Sequence, residues 1–493
     1  MISAAQLYDY VQCPHRVFMD TFGDAAERDD TSPFVELLWE HGLDHENAIA
    51  AQLNITTNLK SLDAADRERE TRAAAERHAP LIYGGRLTAA DSVGEPDLLE
   101  WTDLGYVPGD IKSGSGIEGD ENEGKLKRHY AFQVAHYVSI LEQLGLGAGN
   151  RTPYVIDREG KRVPYALMEP QGVRNTETWW DGYQKALSVI RSILERSSPS
   201  TPTLGGECKL CHWHSHCKAV LVATNDLTLI AELGRTKREA LSAVIPTIQA
   251  FAECDLDSYI QQKKTAFRGI GPDSLRKFHA RARLLTDPGA TPYLTEAVNL
   301  PVKQKEVYFD IETDPMHGVV YLHGFVERTL GQPETARFIP YFADGNEPVH
   351  EEAAFQEAWN YLTARIQDST IYYYSKFERT EYKKLAEKYP AVCSVSDVEI
   401  LFAQSVMIDL YFDVVKKATE WPLYDQSIKT LAQYLGFHWR DTDPSGAASI
   451  EWYNRWIESG DPTIKQRILD YNEDDCLATG IVVDGIRRLP VKA

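Results

Sequence analysis

The alternation of apolar and polar residues is sharpest in the last third of the chain. Apolar residues at every second position predict a strand over Glu306–Thr313. Asp310 and Glu312 fall between them and therefore share the opposite face of that strand. Val319–Arg328 and Ala336–Tyr341 are also predicted strands, so we expect a sheet that begins as a meander.

Apolar residues at helical spacing predict helices at both ends of the chain. A long C-terminal helix is predicted over Gln466–Arg488, where Tyr471 and Asp475 lie four residues apart and share one face. In the first third of the chain, an amphipathic helix carries Gln133 and Tyr137, also four residues apart. Both pairs therefore present polar groups from one side of a helix.

A second set of acids lies before the helix that carries Gln133. Asp110 and Lys112 are two apart on a predicted strand and so face one site, and Asp97 on the preceding strand adds a second carboxylate. Two carboxylates hold a divalent ion, and the ion and a lysine together stabilise charge that develops on a phosphodiester. His45, on a predicted nearby helix, adds a ligand. A D-x-K triplet alone usually means surface charge, but this ordered set is much less common.

Length and charge set bounds on this chemistry. With 493 residues the chain exceeds one core, which predicts two or three domains. The first residues lack the basic and apolar regions of a secretion signal, and no apolar run reaches membrane-spanning length. We therefore expect a soluble cytoplasmic protein with no membrane partner. The net charge of −21 taken alone argues against nucleic acid, but enzymes that hold metal ions on carboxylates are locally acidic.

The cysteines indicate a metal centre rather than disulfides. Of seven cysteines, Cys208, Cys211 and Cys217 form a C-x2-C-x5-C pattern, and Cys13 occurs far upstream beside a proline. Four thiolates suit either zinc or an iron–sulfur cluster, and a histidine near Cys211 is an alternative fourth zinc ligand. With Cys13 included, the metal closes a long loop and stabilises it.

The middle of the chain carries a basic window. Between positions 263 and 283 there are seven Lys or Arg residues and one acid. Gly269 and Gly271 precede a predicted helix that contains Lys277, in the manner of a helix-hairpin-helix module that binds phosphate through backbone N–H groups. A solvated helical linker with a Gly-Pro turn is an equally good interpretation. Pro and Gly near position 290 then indicate a domain boundary.

The N-terminal set resembles the RecB-family nuclease domain of the restriction-endonuclease-like fold, in the iron–sulfur version found in CRISPR adaptation nucleases. The resemblance covers about residues 1–222. It implies a 4Fe–4S cluster on the four cysteines, metal binding by His45, Asp97 and Asp110, catalysis by Lys112, and a DNA path lined by Gln133 and Tyr137. Many relatives carry Glu where this chain has Asp110, which keeps the carboxylate but shortens the side chain.

The C-terminal set resembles the DnaQ-like 3′–5′ exonucleases of the RNase H fold, in the subtype with a catalytic tyrosine. The resemblance implies that Asp310, Glu312, Glu378 and Asp475 hold two Mg²⁺ or Mn²⁺ ions and that Tyr471 orients the attacking water. Glu378 departs from the family, which has Asp in its F-D motif. A degenerate domain that binds without cleaving is the alternative.

These predictions define an α/β multidomain protein. We expect a restriction-endonuclease-like core with an iron–sulfur clamp at 1–222, a helical helix-hairpin-helix-like connector at 223–300, and an RNase H-like exonuclease domain at 301–493. The first hypothesis is a metal-dependent nuclease with two active sites that acts on DNA, single-stranded or with free ends, in repair or processing. The second is a non-catalytic DNA-binding subunit that works with a separate helicase, since the sequence has no P-loop of its own.

Overall fold

The protein is described from a computed structural model that defines residues 1–118, 124–172, 175–197, 200–442 and 444–492. It has a mixed α/β fold whose backbone divides into two compact units, Met1–Ala219 and Val220–Ala493. Within the described ranges, no helix is both long and apolar enough to cross a membrane.

The first unit alternates helices with short strands. Its helices are α1 (Ala4–Gln12), α2 (Pro14–Phe22), α3 (Pro33–Ala50), α4 (Ala64–Glu76), α5 (Arg128–Gln143), α6 (Trp179–Leu194) and α7 (His214–Ala223). Its strands are β1 (Ile2–Ser3), β2 (Thr57–Asn58), β3 (Leu81–Tyr83), β4 (Leu87–Ala89), β5 (Ser92–Gly94), β6 (Leu98–Thr102), β7 (Gly105–Ile111), β8 (Ile117–Glu118), β9 (Lys125–Leu126), β10 (Tyr154–Ile156), β11 (Arg162–Pro164), β12 (Pro170–Gly172) and β13 (Asn175–Thr178).

The main sheet of this unit places β7 at its centre. Over the described residues the strand order is β11-β10-β7-β6-β3-β2, with β7 antiparallel to β6 and parallel to β10. Val107 and Ile111 of β7 pack with Ile49 of α3, whereas Tyr106 packs with Leu141 of α5. Because side chains alternate along a strand, Asp110 lies on the α5 face of the sheet.

The second unit contains the C-terminal sheet and the segment before it. Its helices are α8 (Gly234–Leu241), α9 (Ile248–Glu253), α10 (Pro272–Thr286), α11 (Pro348–Arg365), α12 (Phe377–Lys388), α13 (Val395–Leu401), α14 (Lys416–Ala418), α15 (Ile428–Tyr434), α16 (Gly446–Ser459) and α17 (Pro462–Arg488). Its strands are β14 (Ile260–Gln261), β15 (Lys264–Thr265), β16 (Tyr293–Leu294), β17 (Lys305–Asp314), β18 (Val319–Thr329), β19 (Gln332–Phe342), β20 (Ser369–Tyr373), β21 (Met407–Asp409) and β22 (Thr419–Glu420).

The C-terminal sheet confirms the predicted meander and extends it. The strand order over the described residues is β19-β18-β17-β20-β21, in which β17, β18 and β19 are antiparallel and β17, β20 and β21 are parallel. Phe309 packs with Phe355 of α11 on one face. Tyr308 packs with Val482 of α17 on the other, which is the face that carries Asp310. The carboxyl end of β17 therefore meets α17, and the carboxyl ends of the parallel strands β20 and β21 lie beside it at the same edge.

Candidate active site

Three carboxylates converge where β17 meets α17. Asp310, Glu312 and Asp475 each have an oxygen within 4.8 Å of the other two. Among the described residues, no other three side chains of the kinds that bind metals come this close together. Burial and then the neighbouring Asp475 carboxylate raise the pKa of Asp310 well above its ordinary value. The same two causes raise the pKa of Glu312 to about 8. The carboxylates therefore repel one another unless protons or a cation lie between them.

Neighbouring donors fix the orientation of these carboxylates. Asn472 Nδ2 donates to Asp310 Oδ2 at 2.7 Å, and Trp439 Nε1 donates to Asp475 Oδ1 at 2.7 Å. Gly324, paired with Asp310 across the sheet, lets α17 approach, since a Cβ there would lie 1.6 Å from Asn472 Oδ1. Neither Asn472 nor Trp439 was predicted, although Asn472 directly follows the tyrosine of the helix motif.

Tyr471 lies one helical turn before Asp475 and is 3 % exposed. Burial and then the Asp475 carboxylate raise its pKa well above the ordinary value, so the phenol keeps its proton. Lys429 Nζ of α15 donates to the Tyr471 hydroxyl at 3.0 Å. Lys429 was not predicted as a site residue, because nothing in its local sequence links α15 to α17.

Glu378 lies near the three carboxylates but outside their group. It occupies the first turn of α12, is 2 % exposed, and its Oε2 has no hydrogen-bond partner among the described residues. Burial raises its pKa well above the ordinary value, and Asp409 at the end of β21 adds to the shift. Asp409 itself accepts hydrogen bonds from the backbone N–H groups of Ser375 and Phe412. Asp409 therefore holds the segments that follow β20 and β21 in place, and its charge also acts on Glu378.

This donor set fits a divalent cation. Mg²⁺ and Mn²⁺ prefer carboxylate oxygens, and three converge here with raised pKa values. The unpartnered oxygen of Glu378 is a fourth acceptor at the same edge of the sheet.

The raised pKa of Glu312 predicts a pH-dependent stability. Its carboxyl keeps a proton up to about pH 8 when folded but loses it near the ordinary value of 4.5 when unfolded. The folded state therefore binds more protons between these values, and we expect the free energy of unfolding of metal-free protein to fall as pH rises through that window. Denaturant titrations across the window should give a shallower fall for Glu312→Gln. Added Mn²⁺ should stabilise the parent most at the alkaline end, and equal slopes for parent and variant would contradict this assignment.

The N-terminal acids also come together, on the α5 face of β7. Lys112 Nζ lies 2.6 Å from Asp110 Oδ2, and the backbone N–H of Ile111 donates to Asp97 Oδ2 at 2.8 Å. Burial and then Asp110 raise the pKa of Asp97 well above its ordinary value. Burial lowers the pKa of Lys112, but Asp110 and Asp97 outweigh it and raise the pKa overall. Lys112 is therefore positively charged at neutral pH.

His45 has a different neighbour from the one predicted. Its Nε2 lies 3.2 Å from the main-chain oxygen of Asp157, and α3 packs on the opposite face of the sheet from Asp110. With Nε2 in that contact, Nδ1 is the ring nitrogen through which His45 would bind a metal. The adjacent Glu46 is the α3 acid whose charge raises the pKa of Asp97, and Lys60 lies between them. Sequence reasoning passed over Glu46, because a histidine is the more conspicuous ligand.

Gln133 and Tyr137 lie four residues apart on α5 and share one face of that helix. Tyr137 is 6 % exposed, and after burial the Asp110 and Asp97 carboxylates raise its pKa. Gln133 is 9 % exposed, and its Oε1 has no hydrogen-bond partner in the described part of the chain. Tyr137 is therefore close to the acids, whereas the DNA path along these two residues stays a prediction.

The four predicted cysteines line one cavity in the first unit. Cys13 lies at the break between α1 and α2, where Pro14 begins the second helix. Burial and then the neighbouring cysteines raise the pKa of Cys217 to about 12. No three of the sulfur atoms lie within 4.8 Å of one another, so they do not form the tetrahedron of a single ion. The cluster itself stays a prediction.

The residues of the middle segment that were predicted to contact phosphate differ in how exposed they are. Gly269, with a φ of +78°, and Gly271 lie exposed before α10. Lys277, however, donates to the main-chain oxygen of Lys416 at 2.7 Å, and Arg281 is 2 % exposed. Two of the seven basic residues thus serve contacts inside the second unit, which makes the basic surface smaller than the sequence suggests.

A comparison with known families agrees with the C-terminal geometry. Residues 307–486 match the model of the RNase H superfamily, a range that runs from β17 into α17 and includes all three converging carboxylates. No curated protein matches the chain. The C-terminal part of the chain is therefore an RNase H-like domain, consistent with a nuclease-type function and with an acidic triad able to bind a divalent metal.

Proposed function

We propose that the protein is a metal-dependent nuclease that acts on DNA, single-stranded or with free ends, in repair or processing. Its C-terminal site removes nucleotides from the 3′ end. The observation that carries this proposal is the convergence of Asp310, Glu312 and Asp475 within 4.8 Å, in an RNase H-like domain, with Tyr471 one turn from Asp475.

The residues around the carboxylates suit hydrolysis of a phosphodiester. Divalent ions bound there would stabilise the attacking and leaving oxygens of an in-line displacement. Tyr471, which keeps its proton, orients a water through its hydroxyl, and Lys429 holds that hydroxyl in place. Asn472 and Trp439 keep the carboxylates in register before substrate arrives. Glu378 extends the set on the side of β20.

We also propose a second nuclease site in the first unit. Asp97 and Asp110 would hold the ion, and Lys112 would stabilise charge on the phosphate. What supports it is that Asp97, directly before β6, and Asp110, on the antiparallel neighbour β7, come together on the α5 face of the sheet. The protonated Lys112 beside two carboxylates adds to that support.

The four cysteines are proposed to bind a 4Fe–4S cluster. What supports this over zinc is their spacing around the cavity: thiolates on one zinc ion lie about 3.8 Å apart, because each Zn–S bond is about 2.3 Å. Around this cavity, no three of the cysteine sulfurs lie within 4.8 Å of one another, so they are farther apart than thiolates on one zinc ion. A larger inorganic cluster suits such a cavity better than one ion.

The cluster has a direct optical test. We expect anaerobically purified protein to be brown, with broad absorbance that is lost in Cys13→Ser, because Cys13 links the two distant parts of the ligand set. Cys13→Ser should also lower the thermal stability of the first unit, whereas Cys254→Ser, a cysteine outside the cavity, should change neither. Colourless protein with stoichiometric zinc and no iron would show that the ligand set binds a single ion instead.

One observation favours the second hypothesis, a DNA-binding subunit that works with a separate helicase. Glu378 replaces the family aspartate and lies outside the converging three. Such a protein would bind strands without shortening them.

Linear and circular single strands distinguish these functions. With Mg²⁺ or Mn²⁺, the C-terminal site should shorten linear strands stepwise from the 3′ end and leave circles intact. The N-terminal site needs no free 3′ end. Binding without any cleavage under these conditions would support the subunit hypothesis.

A further inference from the structure

Two backbone irregularities meet beside the C-terminal site. Ser375, two residues after the end of β20, has a φ of +91°, which a non-glycine residue rarely adopts. Leu410–Val415, directly after β21, is a π-helical turn. Asp409 joins the two, since its Oδ1 accepts from Ser375 N at 3.2 Å and from Phe412 N at 2.9 Å. Strained residues and π-turns persist where a function requires them.

The irregularities bring a lysine and an aromatic ring together. Lys376 is exposed, and its Nζ lies 4.6 Å from the centre of the half-buried Phe412 ring. Among the described residues no carboxylate lies within 4.0 Å of Lys376 Nζ, in a chain with a net charge of −21. By contrast, Lys416, on the same ring at 5.3 Å, is paired with Glu232 at 2.7 Å. In the described part of the chain, the close partner of the Lys376 cation is thus an aromatic face rather than a carboxylate.

This pair lies at the same edge of the sheet as the carboxylates. Asp310 follows Phe309, which pairs with Tyr373 at the end of β20, and Tyr373 pairs with Asp409 at the end of β21. Adjacent strands are about 4.8 Å apart, so two strand spacings correspond to about three stacked nucleotides at about 3.4 Å each. Ligands of open α/β sheets bind outside the carboxyl ends of the strands.

We propose that Phe412 and Lys376 form a subsite for the strand next to the cleaved linkage, in which a nucleobase stacks on Phe412 and Lys376 contacts a phosphate. This inference rests on the proposed 3′-nuclease function and deepens it, because it makes single-stranded nucleic acid the preferred substrate. When a strand binds, the Lys376–Phe412 contact is replaced by a contact between a base and Phe412 and a contact between a phosphate and Lys376. An exposed cation–π contact changes a binding constant by about 2- to 5-fold. Stacking of a base on an aromatic side chain changes it by about 5- to 150-fold, so the exchange favours the bound strand.

The test uses single abasic positions placed in turn along the 3′ end of fluorescent oligo(dT) and oligo(U). Affinity is measured by anisotropy with Ca²⁺. With the parent protein we expect one position near the 3′ end at which loss of the base weakens binding about 5- to 150-fold. Phe412→Ala should abolish that penalty, and Phe412→Trp should retain it. Phe412→Leu, which keeps an apolar side chain in the turn, should also abolish it and serves if the alanine variant does not fold.

Salt dependence tests the lysine. Lys376→Ala should reduce the slope of log affinity against log salt by about 0.7, the value for one phosphate contact on a single strand. Lys384→Ala removes the same charge from an exposed position on α12 and should leave the slope unchanged. Comparison of oligo(dU) with oligo(U), which differ only at the 2′ position of the sugar, identifies the sugar that the subsite accepts.

The outcomes separate this subsite from the nuclease proposal. If the parent shortens 3′ ends but no abasic position matters, or the penalty persists in Phe412→Leu, the subsite is wrong and the nuclease stands. If nothing is shortened but the penalty appears and depends on Phe412, the subsite stands and the nuclease assignment fails.

Discussion

Asp310→Ala should lower stepwise degradation from the 3′ end by about a thousandfold or more, since metal-based stabilisation of transition-state charge amounts to several kcal/mol and about 1.4 kcal/mol is a factor of ten. Asp310, Glu312 and Asp475 each have an oxygen within 4.8 Å of the other two. Loss of the Asp310 carboxylate therefore removes one of three converging ligands. The measurement is the rate of shortening of 5′-labelled linear strands with Mn²⁺.

Matched variants show whether the loss is local. Asp470→Ala removes from α17, the helix that carries Asp475, a half-buried carboxylate that pairs with Arg440, and should leave the rate nearly unchanged. Asp310→Asn keeps the shape of the side chain and its hydrogen bond to Asn472, yet should lose activity as Asp310→Ala does, because an amide is a poor metal ligand. The Asp110→Ala/Lys112→Ala protein should still shorten 3′ ends. Unaltered shortening in Asp310→Ala would identify the domain as a scaffold.

The local spacing of residues was enough to predict which side chains β17 and α17 contribute to the C-terminal site. Alternation put Asp310 and Glu312 on one face of a strand, and helical spacing put Tyr471 and Asp475 on one face of a helix, and the fold brings both faces together. Both rules depend only on neighbours in sequence, so a single chain is sufficient to apply them.

The residues that were missed depend on tertiary contacts instead. Lys429 and Trp439 reach the site from α15 and the loop after it, where nothing in the local spacing indicates a role. The neighbour of His45 also depends on tertiary packing. Periodicity predicted the helix that carries His45 but could not predict the face of the sheet on which that helix packs. The count of basic residues in the middle segment overstates the exposed positive charge for a related reason. Arg281 donates to Glu420 at 2.6 Å inside the unit, and a charge count does not identify partners that are distant in sequence.

The second large effect concerns Lys112. Lys112→Ala should lower cleavage at the N-terminal site by about 100- to 1000-fold, the usual cost of removing one donor that stabilises transition-state charge. The assay uses circular single strands in an Asp310→Ala background, so that cleavage from a 3′ end does not contribute. Lys185→Ala, at an exposed position on α6, is the matched control and should cut as its parent does.

Metal affinity distinguishes a catalytic Lys112 from a merely structural one. Its ammonium lies 2.6 Å from Asp110 and neutralises the two carboxylates when no divalent ion is bound. Its removal leaves Asp97 and Asp110 facing one another, so Lys112→Ala should bind Mn²⁺ at least as tightly as the parent while cutting far more slowly. DNA binding should change little, because Lys112 acts on charge that develops only in the transition state. If Lys112→Ala instead lost both Mn²⁺ affinity and thermal stability, the role of Lys112 would be to hold the ends of the β-strands in place.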